Sequence, residues 1–249
     1  MTQAIPSSNV PTSPTNPSST TTSHPELKPV LETIFAFSPN RETLGGTAYF
    51  ILSPSGNILI DCPAWDDRLQ SILSEHGGIR WFAFTHRGAM GKRSHIKHIQ
   101  DHFQCDLLVQ EQEAYLLPDI QVTTFQQTFE LSSTTRLIWT PGHTPGSTCV
   151  YHQIPNGETA QQGVIFTGRH LLPNHQGQLQ PLRVAKTFHW FRQLRSTQLL
   201  LDSFTAQTLH FGCPGANIGF LRKERTIPNV YQQLADLDLE KLRSTQPGL

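Results

Sequence analysis

Neither sign of charge is in excess in this 249-residue sequence, in which 19 lysines and arginines balance 19 aspartates and glutamates. A chain with that balance has no global electrostatic attraction for nucleic acid or for an anionic membrane surface. We therefore expect neither nucleic acid nor membrane among its partners. The balance leaves room for a local basic patch.

Long apolar runs are also missing. No stretch approaches the roughly 20 apolar residues that a membrane-spanning helix requires, and the N-terminus lacks the basic start and apolar stretch of a secretory signal. The cysteines are few and widely spaced, with no CxxC pair to indicate a structural zinc module; they are Cys62, Cys105, Cys149 and Cys213. We expect reduced thiols and a cytoplasmic location.

The first 25 residues are short of apolar and of charged side chains. They consist almost entirely of Ser, Thr, Pro, Asn and Gln, with Ile5 and Val10 as the branched aliphatics. Such a segment cannot bury enough apolar surface to order itself. The lack of acidic residues is shared with organelle transit peptides, but arginine and lysine are lacking too. We predict a disordered tail over 1–25 and a single folded domain over 26–249.

Apolar periodicity after the tail predicts alternating strands and helices. Strands are expected near 31–37, 47–53, 58–61, 81–84 and 106–109, with helices over 65–76 and 94–103. After Pro118, short strands are expected near 121–125, 128–131, 136–140, 147–152 and 164–166, then a helix near 187–201, a strand near 208–211 and a helix over 228–242. Composition and periodicity by themselves indicate only a mixed α/β domain.

Four segments resemble the metallo-β-lactamase-fold family, in the family's order and with similar separations. They are Leu59-Ile60-Asp61, Phe84-Thr85-His86, the loop from Thr140 to Ser147, and Ile165-Phe166-Thr167-Gly168. The loop is the most specific of the four. The resemblance covers about residues 30–219 and implies a four-layer αββα sandwich of the α/β class. It also implies that Asp61 orients the metal-binding loop through hydrogen bonds.

The same resemblance indicates where zinc ligands would lie, and most of them are absent. Active members continue the Thr-His strand end as HxHxDH, whereas this chain reads His86-Arg87-Gly88-Ala89-Met90-Gly91. His143 matches the next ligand, Arg169 stands in place of a metal-bridging aspartate, and Cys213 is the nearest candidate for the last ligand. A catalytic zinc needs three protein ligands and a water. Dinuclear zinc catalysis is therefore not expected, and His86, His143 and Cys213 form the one mononuclear alternative.

Arg169 favours an anion over a metal at this site. A guanidinium about 4 Å from a divalent cation would be repelled by roughly 8 kcal/mol at an effective dielectric constant of about 20. Its planar fork suits a carboxylate or phosphate, so we predict Arg169 as the anion-binding residue. The alternative is an arginine that points to solvent or pairs with an acidic residue.

His170, next to Arg169, is a candidate replacement ligand or acid–base group, as is His143. The structural alternatives are a merely hydrogen-bonded His170, a His143 that anchors its loop, and a Cys213 that acts as a small buried hydrophobe.

Three further histidines have metal-like spacing on the helix predicted over 94–103. His95, His98 and His102 each directly precede a residue of that helix's apolar stripe. They therefore flank the buried face by about 100°. We interpret them as a solvated helix side and not as a ligand set.

Three functions remain open at this point. The first is a catalytically silent member of the fold that binds a small anion or a protein partner and needs no cofactor. The second is a residual hydrolase, which uses either one zinc held by His86, His143 and Cys213 or a metal-free route through His143, His170 and Arg169. The third is a scaffold tethered by the 1–25 tail. The fold alone does not name a substrate.

Overall fold

The computed structural model describes Met1 and residues 27–154, 162–221 and 224–247, so the predicted 1–25 tail lies, apart from Met1, outside the described residues. The first half of the chain forms a seven-stranded sheet and two helices. The strands are β1 (Lys28–Leu31), β2 (Ile34–Ala36), β3 (Tyr49–Ile51), β4 (Ile58–Ile60), β5 (Trp81–Ala83), β6 (Asp106–Gln110) and β7 (Thr123–Phe125). The helices are α1 (Asp67–Glu75) and α2 (Arg93–Phe103).

The strands of this sheet lie in chain order. β1 to β4 pair antiparallel through short turns, whereas β4 to β7 pair parallel. Parallel neighbours need a crossover, and α1 and α2 supply it between β4 and β5 and between β5 and β6.

The second half of the chain forms a six-stranded sheet, a two-stranded sheet and three helices. The strands are β8 (Thr128–Glu130), β9 (Thr135–Trp139), β10 (Thr148–Ile154), β11 (Gln162–Gly168), β12 (Leu172–Pro173), β13 (Leu179–Gln180), β14 (Phe211–Pro214) and β15 (Ile227–Pro228). The helices are α3 (Trp190–Ser203), α4 (Val230–Ala235) and α5 (Leu239–Arg243). The large sheet has the order β15-β14-β11-β10-β9-β8, and only its β11–β14 pair is parallel.

Side chains alternate across each strand and so build three separate apolar clusters. Phe50 of β3 packs with Leu69 of α1 and Ile96 of α2. Its neighbours Tyr49 and Ile51 face the other way and pack with residues of the second sheet. The far side of the second sheet packs against α3 and α4. The two sheets therefore lie between two helical layers, which confirms the predicted αββα sandwich.

The end of the chain differs from its prediction. The helix predicted over 228–242 is two short helices, because the Asp238 side chain accepts a 2.9 Å hydrogen bond from the Lys241 backbone N–H and starts α5 as an N-cap. The strand predicted near 208–211 begins at Phe211, because Thr205 and Thr208 form a turn whose backbone hydrogen bond is 3.0 Å long.

All four cysteines are free and buried. No helix in the described part of the chain combines the length and the apolar character that crossing a bilayer takes.

Candidate functional site

The candidate site lies where β5 and β11 end, next to the turn that follows β4. Two hydrogen bonds and one close packing contact hold these segments and the start of β10 together. The Thr85 N–H donates to the Asp61 carboxylate at 2.7 Å, and the Thr148 N–H donates to the Thr85 carbonyl at 2.8 Å. A Cβ atom built on Gly168 would lie only 2.6 Å from the Thr85 Cβ atom. The residues after these strands, which include His86 and Arg169, are thereby brought to one place.

Asp61 positions the start of the His86 loop. It is buried and has a left-handed backbone with φ of 63°. Its carboxylate accepts hydrogen bonds from both the backbone N–H and the hydroxyl of Thr85. Burial raises the pKa of Asp61 to about 7, against the opposing effects of the Thr85 hydrogen bonds and of Arg169.

The Thr85 hydroxyl also fixes the tautomer of His86. With the Asp61 carboxylate ionised, the single hydrogen of this hydroxyl is donated to Asp61 at 2.7 Å, so its oxygen accepts the hydrogen of His86 Nδ1 at 3.0 Å. His86 Nε2 then carries a free lone pair. This nitrogen is buried, and no partner for it exists among the described residues. The site therefore presents a buried hydrogen-bond acceptor.

His143 and His170 extend this feature into a row of buried imidazoles. The ring centroids of His86 and His143 are 5.2 Å apart, with the ring planes at 74°. Burial lowers the pKa of His143 to about 4, and Arg169 and Arg87 lower it further. Burial lowers the pKa of His170 to about 3 and that of His86 well below its usual value. Repulsion from a protonated His143 ring lowers both pKa values further. All three rings are neutral at neutral pH.

Two guanidinium groups flank the histidine row. Arg169 is half-buried, and its Nη2 donates to the backbone carbonyl of Leu44 at 2.8 Å and of Thr43 at 3.4 Å. Arg87 directly follows His86 and is exposed. Neither arginine takes part in an ion pair within the described ranges. Asp61 acts on Arg169 and Glu113 on Arg87 only at longer range, where each pair shifts a pKa without forming an ion pair.

The loop from Thr140 to Ser147 carries His143 and is held by close packing on α3. Gly142 has φ of 154°, and a Cβ atom there would lie 2.5 Å from the backbone nitrogen of Gln193. Gln193 in turn donates from Nε2 to the His170 carbonyl at 2.7 Å. Gln193 thus contacts the backbone on both sides of the site, through its own backbone at Gly142 and through its side chain at His170.

Glu113 holds the other side of the same loop, and the sequence analysis did not identify it. This buried carboxylate accepts a 3.2 Å hydrogen bond from the Gly146 N–H. Burial raises its pKa, while hydrogen bonds from the Thr144 hydroxyl and the Arg87 and Gly146 N–H groups oppose that rise. In the sequence Glu111-Gln112-Glu113 nothing but the tertiary structure distinguishes it from a surface residue.

Cys213 lies away from this arrangement, in the apolar cluster between the two sheets with Phe166 and Tyr49. It is fully buried, and burial raises its pKa far above the usual range. The structure does not bring it together with His86 and His143 as a ligand set. Across the described ranges, no group of three His, Cys, Asp or Glu side chains could hold a metal ion.

The residues present therefore do not fit the zinc centre that this fold commonly carries. Of the predicted ligand set, the imidazoles of His86 and His143 lie together. The charges of Arg87 and Arg169, which lower the pKa of His143, would also repel a divalent cation.

The three histidines of α2 make separate contacts. His95 faces Glu42, His98 Nε2 lies 2.9 Å from Gln70 Oε1, and His102 Nε2 lies 3.5 Å from Ser74 Oγ. His98 and His102 are exposed, in agreement with the predicted solvated helix side.

The chain is similar in fold to solved metallo-β-lactamase structures. No protein-family model and no curated sequence matches the chain. The VMB-1 structure matches with a TM-score of 0.61 at 14% identity over 89% of this chain and 99% of its own. The DIM-1 metallo-β-lactamase matches with a TM-score of 0.60 at 14% identity, over 88% and 98%. An archaeal metallo-β-lactamase superfamily protein from Sulfolobus tokodaii matches with 0.54 at 13%, over 88% and 90%. The predicted metallo-β-lactamase fold is confirmed.

Proposed function

We propose that this chain, built on the metallo-β-lactamase fold, is a binding protein whose site holds a small anion in place of zinc. The observation that carries the proposal is the pair of guanidinium groups, Arg87 and Arg169, beside the neutral imidazoles of His86 and His143. Neither guanidinium forms an ion pair within the described ranges, although Asp61 and Glu113 act on them at longer range. A charged ligand oxygen would complete such a pair.

The chemistry of the ligand follows from the donors and the acceptor in the site. Arg169 uses Nη2 on two backbone carbonyls and keeps its other N–H groups for a ligand. Guanidinium groups bind carboxylate and phosphate oxygens in paired, charge-assisted hydrogen bonds. The lone pair of His86 Nε2 requires a hydrogen from the ligand. The ligand class is therefore an anion that also carries a hydroxyl or a protonated oxygen, such as hydrogen phosphate or a hydroxycarboxylate.

A metal-free hydrolase through His143, His170 and Arg169 is less well supported. A general base works best when its pKa is near the operating pH. Burial holds the pKa of His143 near 4 and that of His170 near 3, so neither imidazole retains a proton taken from water at neutral pH.

The test is a thermal-unfolding series with phosphate and with sulfate at pH 7 and constant ionic strength. Phosphate carries an O–H at this pH and sulfate does not, so we expect phosphate to stabilise the native chain more. About a tenfold excess over Kd should raise Tm by about 3 °C or more.

Arg169→Ala should abolish the phosphate effect, while Arg68→Ala, an exposed arginine on α1, should keep it. An equal response of the Arg169→Ala and native proteins to phosphate would contradict the proposal.

A further inference from the structure

A second cleft lies between α3 and α5, and it shares no residue with the histidine site. Its volume is about 600 Å³. That size is within the range of about 300–1,000 Å³ typical of small-molecule pockets. It is lined by His189, Phe191, Arg192, Leu194, Arg195, Gln198, Leu239, Glu240 and Arg243.

Two hydrogen bonds from side chains to backbone carbonyls hold α5 beside α3. Trp190 at the start of α3 donates from Nε1 to the Leu242 carbonyl of α5 at 2.9 Å. Arg183 donates to the carbonyl of Thr245, just after α5, at 2.6 Å. The short helix α5 is thereby held on α3, so the cleft has a defined shape.

The cleft concentrates positive charge in a chain that is neutral as a whole. Arg192 and Arg195 are three residues apart on α3 and therefore project from the same face. Both are exposed, and neither forms an ion pair within the described ranges. The one acidic lining residue, Glu240, is already bound to Arg243 at 3.0 Å. Two unneutralised guanidinium groups therefore face the cleft.

An exposed aromatic ring lies beside these arginines. Phe191 is 54% exposed. The guanidinium of Arg243 lies 5.6 Å from its ring centroid, and Leu194 and Leu239 add apolar lining. The part of the Phe191 ring that Arg243 does not cover therefore offers a stacking surface beside the guanidinium groups of Arg192 and Arg195.

We propose that this cleft binds a nucleoside phosphate, with the base stacked on Phe191 and the phosphates held by Arg192 and Arg195. A small molecule fits the volume, a planar ring fits the exposed aromatic surface, and two free arginines on adjacent turns suit a diphosphate. This site is independent of the anion site at His86 and Arg169.

Calorimetric titration of the full chain with ADP tests the proposal. Arg192→Ala with Arg195→Ala should weaken ADP binding by about a hundredfold or more, since the loss of each charge-assisted hydrogen bond weakens binding by about tenfold or more. The matched control, Arg68→Ala with Arg93→Ala, removes the same charge from exposed arginines on α1 and α2 and should leave the affinity unchanged.

Two further comparisons separate the parts of the ligand. Native protein should bind ADP more tightly than pyrophosphate, and Phe191→Ala should remove that difference. Adenosine should bind at least tenfold more weakly than ADP. Absence of ADP binding by the native chain, equal affinity for pyrophosphate and ADP, or the same ADP affinity in the arginine variant would overturn the proposal. The first two results do not depend on any variant.

Discussion

Gly168 packs against Thr85 so closely that a Cβ atom on Gly168 would lie 2.6 Å from the Thr85 Cβ atom. Gly168 ends β11 with a left-handed backbone, φ 52°, and Thr85 follows β5. A Cβ on Gly215 would in turn lie 2.8 Å from the Gly168 Cα atom. This crowding of three segments places Arg169, the residue after Gly168, at the His86 loop.

Gly168→Ala should therefore destabilise the fold by about 2 kcal/mol or more, because it adds both a left-handed non-glycine residue and a clash with a buried side chain. Urea unfolding measures the change. Gly219→Ala is the control, since a Cβ there meets no atom within 4 Å. Equal unfolding midpoints for the two variants would refute the packing argument.

Glu113→Ala should cost about 1–3 kcal/mol of unfolding free energy, because it leaves the buried Gly146 N–H without an acceptor. Glu113→Gln keeps an acceptor oxygen and should cost less. Glu111→Ala, an exposed carboxylate two residues earlier, should have little effect. If Glu111→Ala and Glu113→Ala unfold alike in urea, Glu113 does not anchor the loop.

The chain purified with zinc in the medium should contain far less than one zinc per molecule, since two imidazoles beside two guanidinium groups make a poor cation site. Mass spectrometry of the metal content gives the number directly. Occupancy near one that is lost in a His86→Ala, His143→Ala double variant would establish the mononuclear alternative instead.

His86→Leu should reduce the preference for phosphate over sulfate while leaving some stabilisation by both anions. The variant removes the acceptor lone pair at Nε2 but keeps both arginines. His98→Leu, on the exposed side of α2, is the control and should keep the native preference. The Tm shifts of the three proteins with each anion provide the comparison, and an unchanged preference in His86→Leu counts against the assigned tautomer.

Stability should fall as the pH is lowered from about 6.5 to about 4. Burial holds the pKa of His143 and of His152 near 4, below their usual 6.5. The unfolded chain therefore takes up these protons first. Each such imidazole contributes roughly 3 kcal/mol that is fully present above pH 6.5 and is lost as the pH approaches 4.

Asp61 contributes with the opposite sign, because its raised pKa of about 7 favours the folded state at low pH and loses that effect as the pH rises from about 4 to 7. Glu113, whose pKa burial also raises, acts in the same direction as Asp61, and the four histidines buried in the described part of the chain outnumber these two carboxyls. Urea unfolding at a series of pH values measures the slope. His152→Gln should flatten the slope and His98→Gln should not; equal slopes would show that His152 is not buried as a neutral ring.

The sequence predicted the order of most elements, since strand and helix periods are local properties. The hairpin of β3 and β4 and helices α1, α2 and α3 lie within a few residues of their expected positions. The split of the last helix was not predicted, because the apolar stripe of Val230, Leu234 and Leu237 continues across the break. A single capping interaction of Asp238 decided it.

Within the site, residue identity and the family resemblance were enough to predict that most of the family's zinc ligands are absent. Glycine has no side-chain ligand in any conformation, and the soft thioether of methionine does not replace an imidazole or a carboxylate on zinc. The tertiary structure decided that Cys213 lies between the sheets, that Glu113 is buried under the 140–147 loop and that Arg169 bonds Leu44 and not an acidic side chain. These depend on distances between residues far apart in the chain, which composition and spacing do not contain.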